Sequence, residues 1–168
     1  MGWIGGLLLV AAGTGLGMYA AARLRRRVAF LEDCGRMLQA LWQEMNYTAL
    51  PMPDLWRRLA ACEGLADFSL VRRTAEGLDT ATFAAAFAAA VESAAQEGVV
   101  LPPARRLLLA FGEGCGHTDL DGQQAHIAYY RARLAEQEEE ARRVYREKGR
   151  TYRVLGLTGG IALMLLLM

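Results

Sequence analysis

The chain has 168 residues, enough for one domain with a single hydrophobic core and too few for two independent ones. Hydrophobic residues make up 54% of it, yet all 19 basic and all 18 acidic residues lie between Arg23 and Arg153. Two uncharged ends therefore flank a charged middle, which excludes a simple soluble globule, and the net charge of +1 argues against a nucleic-acid binder, which needs a basic face.

The N-terminal segment, residues 1–22, has no charged residue and predicts a transmembrane helix. At about 1.5 Å per residue it can span a hydrocarbon core of about 30 Å. A cleaved signal peptide is the alternative, but signal peptides carry their positive charge before the apolar run. Here the charge follows the run, as Arg23, Arg25, Arg26 and Arg27. The positive-inside rule therefore predicts that the next domain is cytoplasmic.

The middle of the chain, residues 23–150, is predicted to be a helical domain, because apolar residues recur with helical spacing and no segment alternates as a strand would. The predicted helices cover residues 30–50, 54–62, 67–76, 82–97 and 104–111, with a sixth from about 119 onward. Gly64 and Gly77 are expected to end the second and third helices in a left-handed conformation. Thr80 is expected to cap the fourth helix. Pro102 and Pro103 are expected to open the fifth, which the series Gly112, Gly114 and Gly116 breaks.

The C-terminal segment, residues 151–168, predicts a short transmembrane or membrane-embedded helix. Its uncharged part, 154–168, reaches only about 22 Å, and Thr151 and Tyr152 add length if Arg153 extends its guanidinium to the headgroups. The basic residues before this segment lie on the domain side, so both ends predict the same topology. We expect the sixth helix to continue into this segment.

The charged run before the C-terminal segment predicts an exposed helical stalk. Glu138 with Arg142, and Glu139 with Arg143, have the i, i+4 spacing of favourable ion pairs. We interpret the run as a solvated face. The alternative is a docking surface for a cytoplasmic partner, formed by Arg142, Arg143 and Arg146.

Glycine pairs four residues apart occur in both uncharged ends, and each pair lies on one helix face. Such pairs let another helix backbone come close, so they predict packing of the two spans against each other. Contact with other membrane subunits or with a second copy of the chain is the alternative. The pairs are Gly2 and Gly6, Gly13 and Gly17, and Gly156 and Gly160.

Residues with metal-binding or nucleophilic chemistry are few. Each of the three cysteines is expected to be a small buried apolar residue in a reducing compartment. These are Cys34, Cys62 and Cys115. Cys115, His117, Asp119 and His126 are potential metal ligands, but their spacing matches no standard zinc site, and a glycine turn followed by a helix cap explains the same residues. We therefore predict no metal, no cofactor and no catalytic residue.

Two longer patterns are more specific. The first comprises Leu31, Cys34, Leu38, Leu41, Glu44, Met45, Tyr47, Pro51 and Met52. The second comprises Phe111, Gly112, Gly116, Asp119, Gln123 and Ile127. Together with the length and the two uncharged ends, they resemble the stage III sporulation protein AB family over the whole chain. The departures, at Cys34, Met45 and Met52, exchange one apolar residue for another of similar volume.

The resemblance implies an all-α fold: a cytoplasmic six-helix bundle similar to the type II secretion system F domain, flanked by N- and C-terminal transmembrane helices. It implies a non-enzymatic platform in a channel or secretion-like complex between mother cell and forespore of an endospore-forming bacterium. The implied location is the mother-cell (outer forespore) membrane. The implied partners are a cytoplasmic secretion ATPase of the stage III sporulation AA type and other membrane subunits.

Carried onto this chain, the resemblance also assigns positions to particular residues. Glu44, Tyr47 and Pro51 are expected to shape the corner after the first helix, while Asp119 and Gln123 start the last one. Glu44 has two interpretations: it bonds to Tyr47 or a backbone N–H group, or it contacts the ATPase or another subunit directly.

Three roles stay open on the sequence. A platform is favoured, because two anchors of the same topology surround a helical domain without a catalytic set. A membrane-anchored adaptor or sensor that dimerises through its membrane helices is the second role. The third is a membrane-anchored metalloenzyme that uses Cys115, His117 and His126. The lipid bilayer is an expected partner in each case, and nucleic acid in none.

Overall fold

The computed structural model describes residues 2–48, 50–116 and 120–167. This part of the chain forms six helices and no strand, which confirms the all-α prediction. The helices are α1 (Gly2–Tyr47), α2 (Met52–Ala61), α3 (Ser69–Gly77), α4 (Phe83–Gln96), α5 (Pro102–Gly114) and α6 (Leu120–Leu167).

The first and last helices are by far the longest, with 46 and 48 residues. The sequence predicted a helix that begins near Phe30, but α1 runs without a break through the uncharged N-terminal segment. Proline is absent from this stretch and arginine is a good helix former, so the backbone has no reason to break where the charge begins. α6 continues from the charged domain into the C-terminal segment, as predicted.

Contacts between residues divide the chain into two compact units. The bundle unit is Ala29–Glu138. The end unit combines the residues up to Val28 with those from Glu139 onward. The short helices α2 to α5 belong entirely to the bundle unit, whereas α1 and α6 contribute to both units.

The core of the bundle unit is built on aromatic rings. Trp56 of α2 and Phe87 of α4 are fully buried and meet edge to face, with ring centroids 5.5 Å apart. Phe87 in turn meets Phe111 of α5 at 5.7 Å. The indole N–H of Trp56 donates to the carbonyl oxygen of Val71 in α3 at 3.1 Å, so the buried polar atom is satisfied. These contacts join four consecutive helices.

α4 packs against both α3 and α5, and small side chains form part of its buried surface. Ala86, Ala90 and Ala94 are buried on this surface, as expected for an alanine-rich helix. Gly77, at the end of α3, is helical and does not have the predicted left-handed conformation. A Cβ at Gly77 would lie 2.9 Å from the Cβ of Ala86, so the close approach of the two helices requires glycine. Gly64 does have the predicted positive φ, +89°.

One predicted helix cap was wrong. α4 is capped by Thr82, whose hydroxyl oxygen accepts a hydrogen bond from the N–H of Ala85 at 3.4 Å, and not by Thr80. α5 begins at the predicted Pro102 and ends within the predicted glycine series, at Gly114, so that Gly112 lies inside the helix. Packing explains the glycine at 112, because a Cβ there would lie 2.6 Å from a ring carbon of Phe87.

In the end unit, Gly17 and Ala21 of α1 are buried and Gly13 is half-buried. Within the described part of the chain, no helix has both the length and the apolar character that a membrane crossing requires. The side chains of residues 2–10, and most of those beyond Leu155, lie outside the described part. The predicted spans, 1–22 and 151–168, and the packing role of Gly156 and Gly160 stay predictions.

The contact between Gly112 and Phe87 generates a stability prediction. Gly112→Ala should destabilise the chain by about 1–3 kcal/mol, because the added methyl group displaces a buried aromatic ring. Gly35→Ala is the matched control, since the nearest atom to a Cβ there is Glu138 Oε2 at 3.9 Å. It should be neutral or stabilise by up to about 1 kcal/mol. Denaturant unfolding of the full chain in detergent, followed by circular dichroism, measures both; equal effects would contradict the packing explanation.

Candidate interaction surface

Hydrogen bonds to backbone carbonyl oxygens lie on both sides of the corner between α1 and α2, at the end of α1 and at the start of α2. The N–H and the hydroxyl of Thr48 both donate to the carbonyl oxygen of Glu44, at 2.9 and 2.8 Å. Pro51 has extended backbone angles immediately before α2, and its carbonyl oxygen accepts the N–H of Leu55 at 3.1 Å. Proline suits this position because it lacks an N–H group and its φ is fixed. Glu44 and Pro51 therefore lie on the two sides of the corner.

The side chain of Glu44 connects the end of α1 to α2. Its Oε2 lies 3.6 Å from Nε of Arg58, and both side chains are partly exposed. An ion pair of this kind contributes at most about 1 kcal/mol. The structure thus gives Glu44 a partner that sequence reasoning did not identify, since Arg58 lies in the next helix.

A shallow groove of about 340 Å³ runs beside this corner. We call it the corner groove. It is lined by Met45, Asn46, Tyr47, Thr48, Leu50, Leu55 and Gln123. The groove brings Tyr47 from the first sequence pattern together with Gln123 from the second.

Tyr47 is the most exposed large hydrophobic residue described, with 88% of its surface accessible, and Leu50 is also exposed. Asn46 makes the connection between α1 and α6: its Oδ1 accepts a hydrogen bond from Nε2 of Gln124 at 2.7 Å, and its Nδ2 donates to the carbonyl oxygen of Trp42 at 3.0 Å. Tyrosine is one of the residue types that contribute most to binding at protein–protein interfaces.

Some predicted site residues are not part of the groove. Pro51 shapes the backbone next to it, and Asp119 lies outside the described residues. Conversely, sequence reasoning missed Asn46, Leu50 and Leu55 as lining residues. The only sequence signal for Leu50 was its place between the first predicted helix and Pro51.

The stalk arginines are exposed and already have partners. Arg143 pairs with Glu140 at 2.6 Å, and Arg146 pairs with Glu139 at 3.0 Å. The predicted pair of Glu139 with Arg143 is therefore replaced by these two. Arg142 and Glu138 also take part in interactions. These glutamates lower the charge that the stalk presents to a partner.

The described residues among the four potential metal ligands lie in packing contacts. Cys115 is buried, and burial raises the pKa of its thiol to about 12. Nε2 of His126 lies 3.0 Å from the carbonyl oxygen of Phe111, and the two rings stack at 5.5 Å. His117 and Asp119 lie outside the described residues, and the described ones contain no cluster of three potential ligands.

A second groove, of about 330 Å³, lies between α5 and α6. Its polar edge includes Arg106 and Arg133, and Tyr129 is exposed beside them. The guanidinium of Arg133 lies 6.0 Å from the centre of the Tyr129 ring, in a cation–π arrangement, and also pairs with Glu136 at 3.0 Å.

Comparisons with known proteins agree with the sequence patterns. The sequence profile of a family described as stage III sporulation protein AB matches residues 2–168. A solved structure of a stage III sporulation protein AB (SpoIIIAB) is similar, with a TM-score of 0.60 and 20% sequence identity. The similarity covers 72% of this chain and 97% of that one, and at this identity it shows a shared fold. No curated protein sequence matches this chain.

The environments of the cysteines predict their reactivity. Cys34 and Cys115 are buried as predicted, but Cys62 is exposed, which contradicts the expectation for it. Burial disfavours the charged thiolate and so raises the pKa of Cys34 and Cys115. With a pKa of about 12, Cys115 has a thiolate fraction of roughly 10⁻⁴ at pH 8.

N-ethylmaleimide at pH 8 should therefore modify one cysteine, the exposed Cys62, rapidly, and mass spectrometry measures this modification. Cys62→Ser should abolish the rapid phase; two rapid equivalents would contradict this assignment.

Proposed function

Because the chain belongs to the stage III sporulation protein AB family, we propose that it is a non-enzymatic platform subunit of a sporulation complex between mother cell and forespore. The resemblance inferred from the two sequence patterns is confirmed by the family match. In this proposal the chain couples a cytoplasmic secretion ATPase, of the stage III sporulation AA type, to other membrane subunits. The bundle unit is cytoplasmic, and both chain ends are anchored in the mother-cell membrane.

The observation that carries this proposal is the continuity of α1 and α6. Each helix belongs both to the bundle unit and to the end unit with its uncharged segments. At about 1.5 Å per residue, helices of 46 and 48 residues are each roughly 70 Å long. A continuous helix transmits force or fixes a position along its length. This supports a platform that works by shape.

The corner groove is our candidate docking site for the ATPase. It is the surface at which the two sequence patterns meet, and it presents Tyr47 almost fully to solvent. Tyrosine contributes more to binding than most residues, because its rigid ring buries a large area at a small entropic cost. In this proposal the bundle unit works like the type II secretion F domain, a platform that couples an ATPase to membrane parts, as the resemblance of the sequence patterns implies.

This docking site predicts a specific binding defect. Tyr47→Ala should weaken binding of the purified AA-type ATPase by about tenfold, because the ring fills the interface. The variant should unfold like the parent chain, since Tyr47 makes few contacts of its own. Affinity can be measured with the full chain in detergent and the ATPase in solution.

The matched control is Tyr129→Ala. Tyr129 is also an exposed tyrosine of the bundle unit, but it lies at the groove between α5 and α6. ATPase binding should be unchanged in this variant. Equal loss in both variants, or no loss in Tyr47→Ala, would overturn the corner groove as the docking site.

The stalk is the second candidate surface for the ATPase. Replacing Arg142, Arg143 and Arg146 with glutamate should leave the fold intact, because all three side chains are exposed. We expect a loss of less than about threefold, because Glu139 and Glu140 already pair with two of these arginines. The same affinity measurement checks this. A loss larger than that of Tyr47→Ala would move the docking site to the stalk.

A further inference from the structure

Both helices of the end unit carry exposed apolar and tyrosine side chains next to a group of basic residues. On α1, exposed Leu16 and Tyr19 precede the arginines that begin at Arg23, with 72% and 67% of the two side chains accessible. On α6, read backward from the C-terminus, Leu155 is followed by Arg153, Tyr152 and Arg150. An apolar segment that is followed by tyrosine and basic residues is the composition found where a helix leaves a membrane. Both helices have this composition.

The cations at this boundary differ from those of the stalk. Among the described residues, the side chains of five exposed cations of the end unit make no hydrogen bond or ion pair. They are Arg23, Arg25, Arg26, Lys148 and Arg150. The stalk arginines Arg143 and Arg146, by contrast, pair with glutamates. The unpaired charge is therefore concentrated next to the uncharged segments.

The distribution of charge between the two units also favours an anionic ligand at the end unit. The end unit contains ten of the 19 basic residues of the chain but only three of the 18 acidic ones. The bundle unit has an excess of acidic residues. An anionic ligand is therefore attracted to the end unit and repelled from the bundle.

We propose that Arg23, Arg25, Arg26, Lys148 and Arg150 form a binding site for the phosphate groups of anionic phospholipids. This inference rests on the membrane anchoring in the proposed function. Guanidinium groups hold phosphate oxygens with two parallel hydrogen bonds, and these arginines have no protein carboxylate to compete. The acyl chains lie along the exposed apolar side chains beyond the tyrosines. A site of this composition selects lipids with a net negative charge over zwitterionic ones.

The test measures which lipid contacts the protein. The full chain is reconstituted in phosphatidylcholine vesicles, and spin-labelled phosphatidylglycerol or phosphatidylcholine is added as a probe. The motionally restricted fraction in the electron spin resonance spectrum gives the relative association of the two lipids. We expect phosphatidylglycerol to associate about threefold to tenfold more strongly than phosphatidylcholine.

The variant Arg23→Gln/Arg25→Gln/Arg26→Gln should lose most of this preference. The matched control removes the same charge from the bundle unit, as Arg57→Gln/Arg72→Gln/Arg106→Gln. These three arginines are exposed, so the fold should be kept, and the preference for phosphatidylglycerol should be unchanged. Equal loss in both triple variants would overturn the site, since it would show only an effect of total charge.

Other outcomes separate this inference from the proposed anchoring. A restricted component of equal size for both lipids would overturn the lipid site and leave the anchoring in place. Absence of any restricted component would overturn both. If inorganic phosphate removes the preference and chloride at the same ionic strength does not, the site binds free phosphate and the assignment to lipid is wrong.

Discussion

The contact between the ring of Phe87 and the backbone of α5 at Gly112 is the constraint on which the bundle depends. Phe87 is fully buried, and a Cβ at Gly112 would lie 2.6 Å from its ring. The ring can also meet Trp56 on one side and Phe111 on the other because α5 comes this close. Phe111 and Gly112 of the second sequence pattern have separate roles in this contact. Phe111 supplies a ring to the core, and Gly112 leaves space for the ring of Phe87.

The position of α5 also determines where α6 lies in the bundle unit. Phe111 stacks on His126 and meets Tyr130 at 5.8 Å, so one aromatic residue of α5 contacts two residues of α6. With α6 held there, Gln124 bonds to Asn46, and Gln123 lines the corner groove. The surface we assign to partner binding is thus a consequence of core packing. Its lining residues come from α1, α2, α6 and the connection between α1 and α2.

Much of this fold could be predicted from the sequence, because helical periodicity and proline or glycine boundaries are local signals. The residue-level errors occurred where a local signal allowed two outcomes. Thr80 and Thr82 both precede an apolar run, and only the backbone decides that the hydroxyl oxygen of Thr82 meets a free N–H group. Gly77 ends α3 as predicted but does not have the left-handed conformation, and the close approach of Ala86 explains the glycine instead. Burial of Cys62 was expected from residue type alone, and it is exposed.

The candidate site was predictable only in part, because sequence patterns report local structure and do not report contacts between helices. Tyr47 and Gln123 were identified from their patterns, but their meeting in one groove depends on the packing of α6 against α1. The partner of Glu44, Arg58, belongs to another helix and leaves no sequence signature.

The sequence also does not show which of the charged residues near the chain ends are paired. The sequence counts every arginine near the ends alike, whereas the structure separates those neutralised by Glu139 and Glu140 from those without a partner. Only an unpaired guanidinium can bind an external anion without first breaking an ion pair, so pairing decides which cations are available for a ligand.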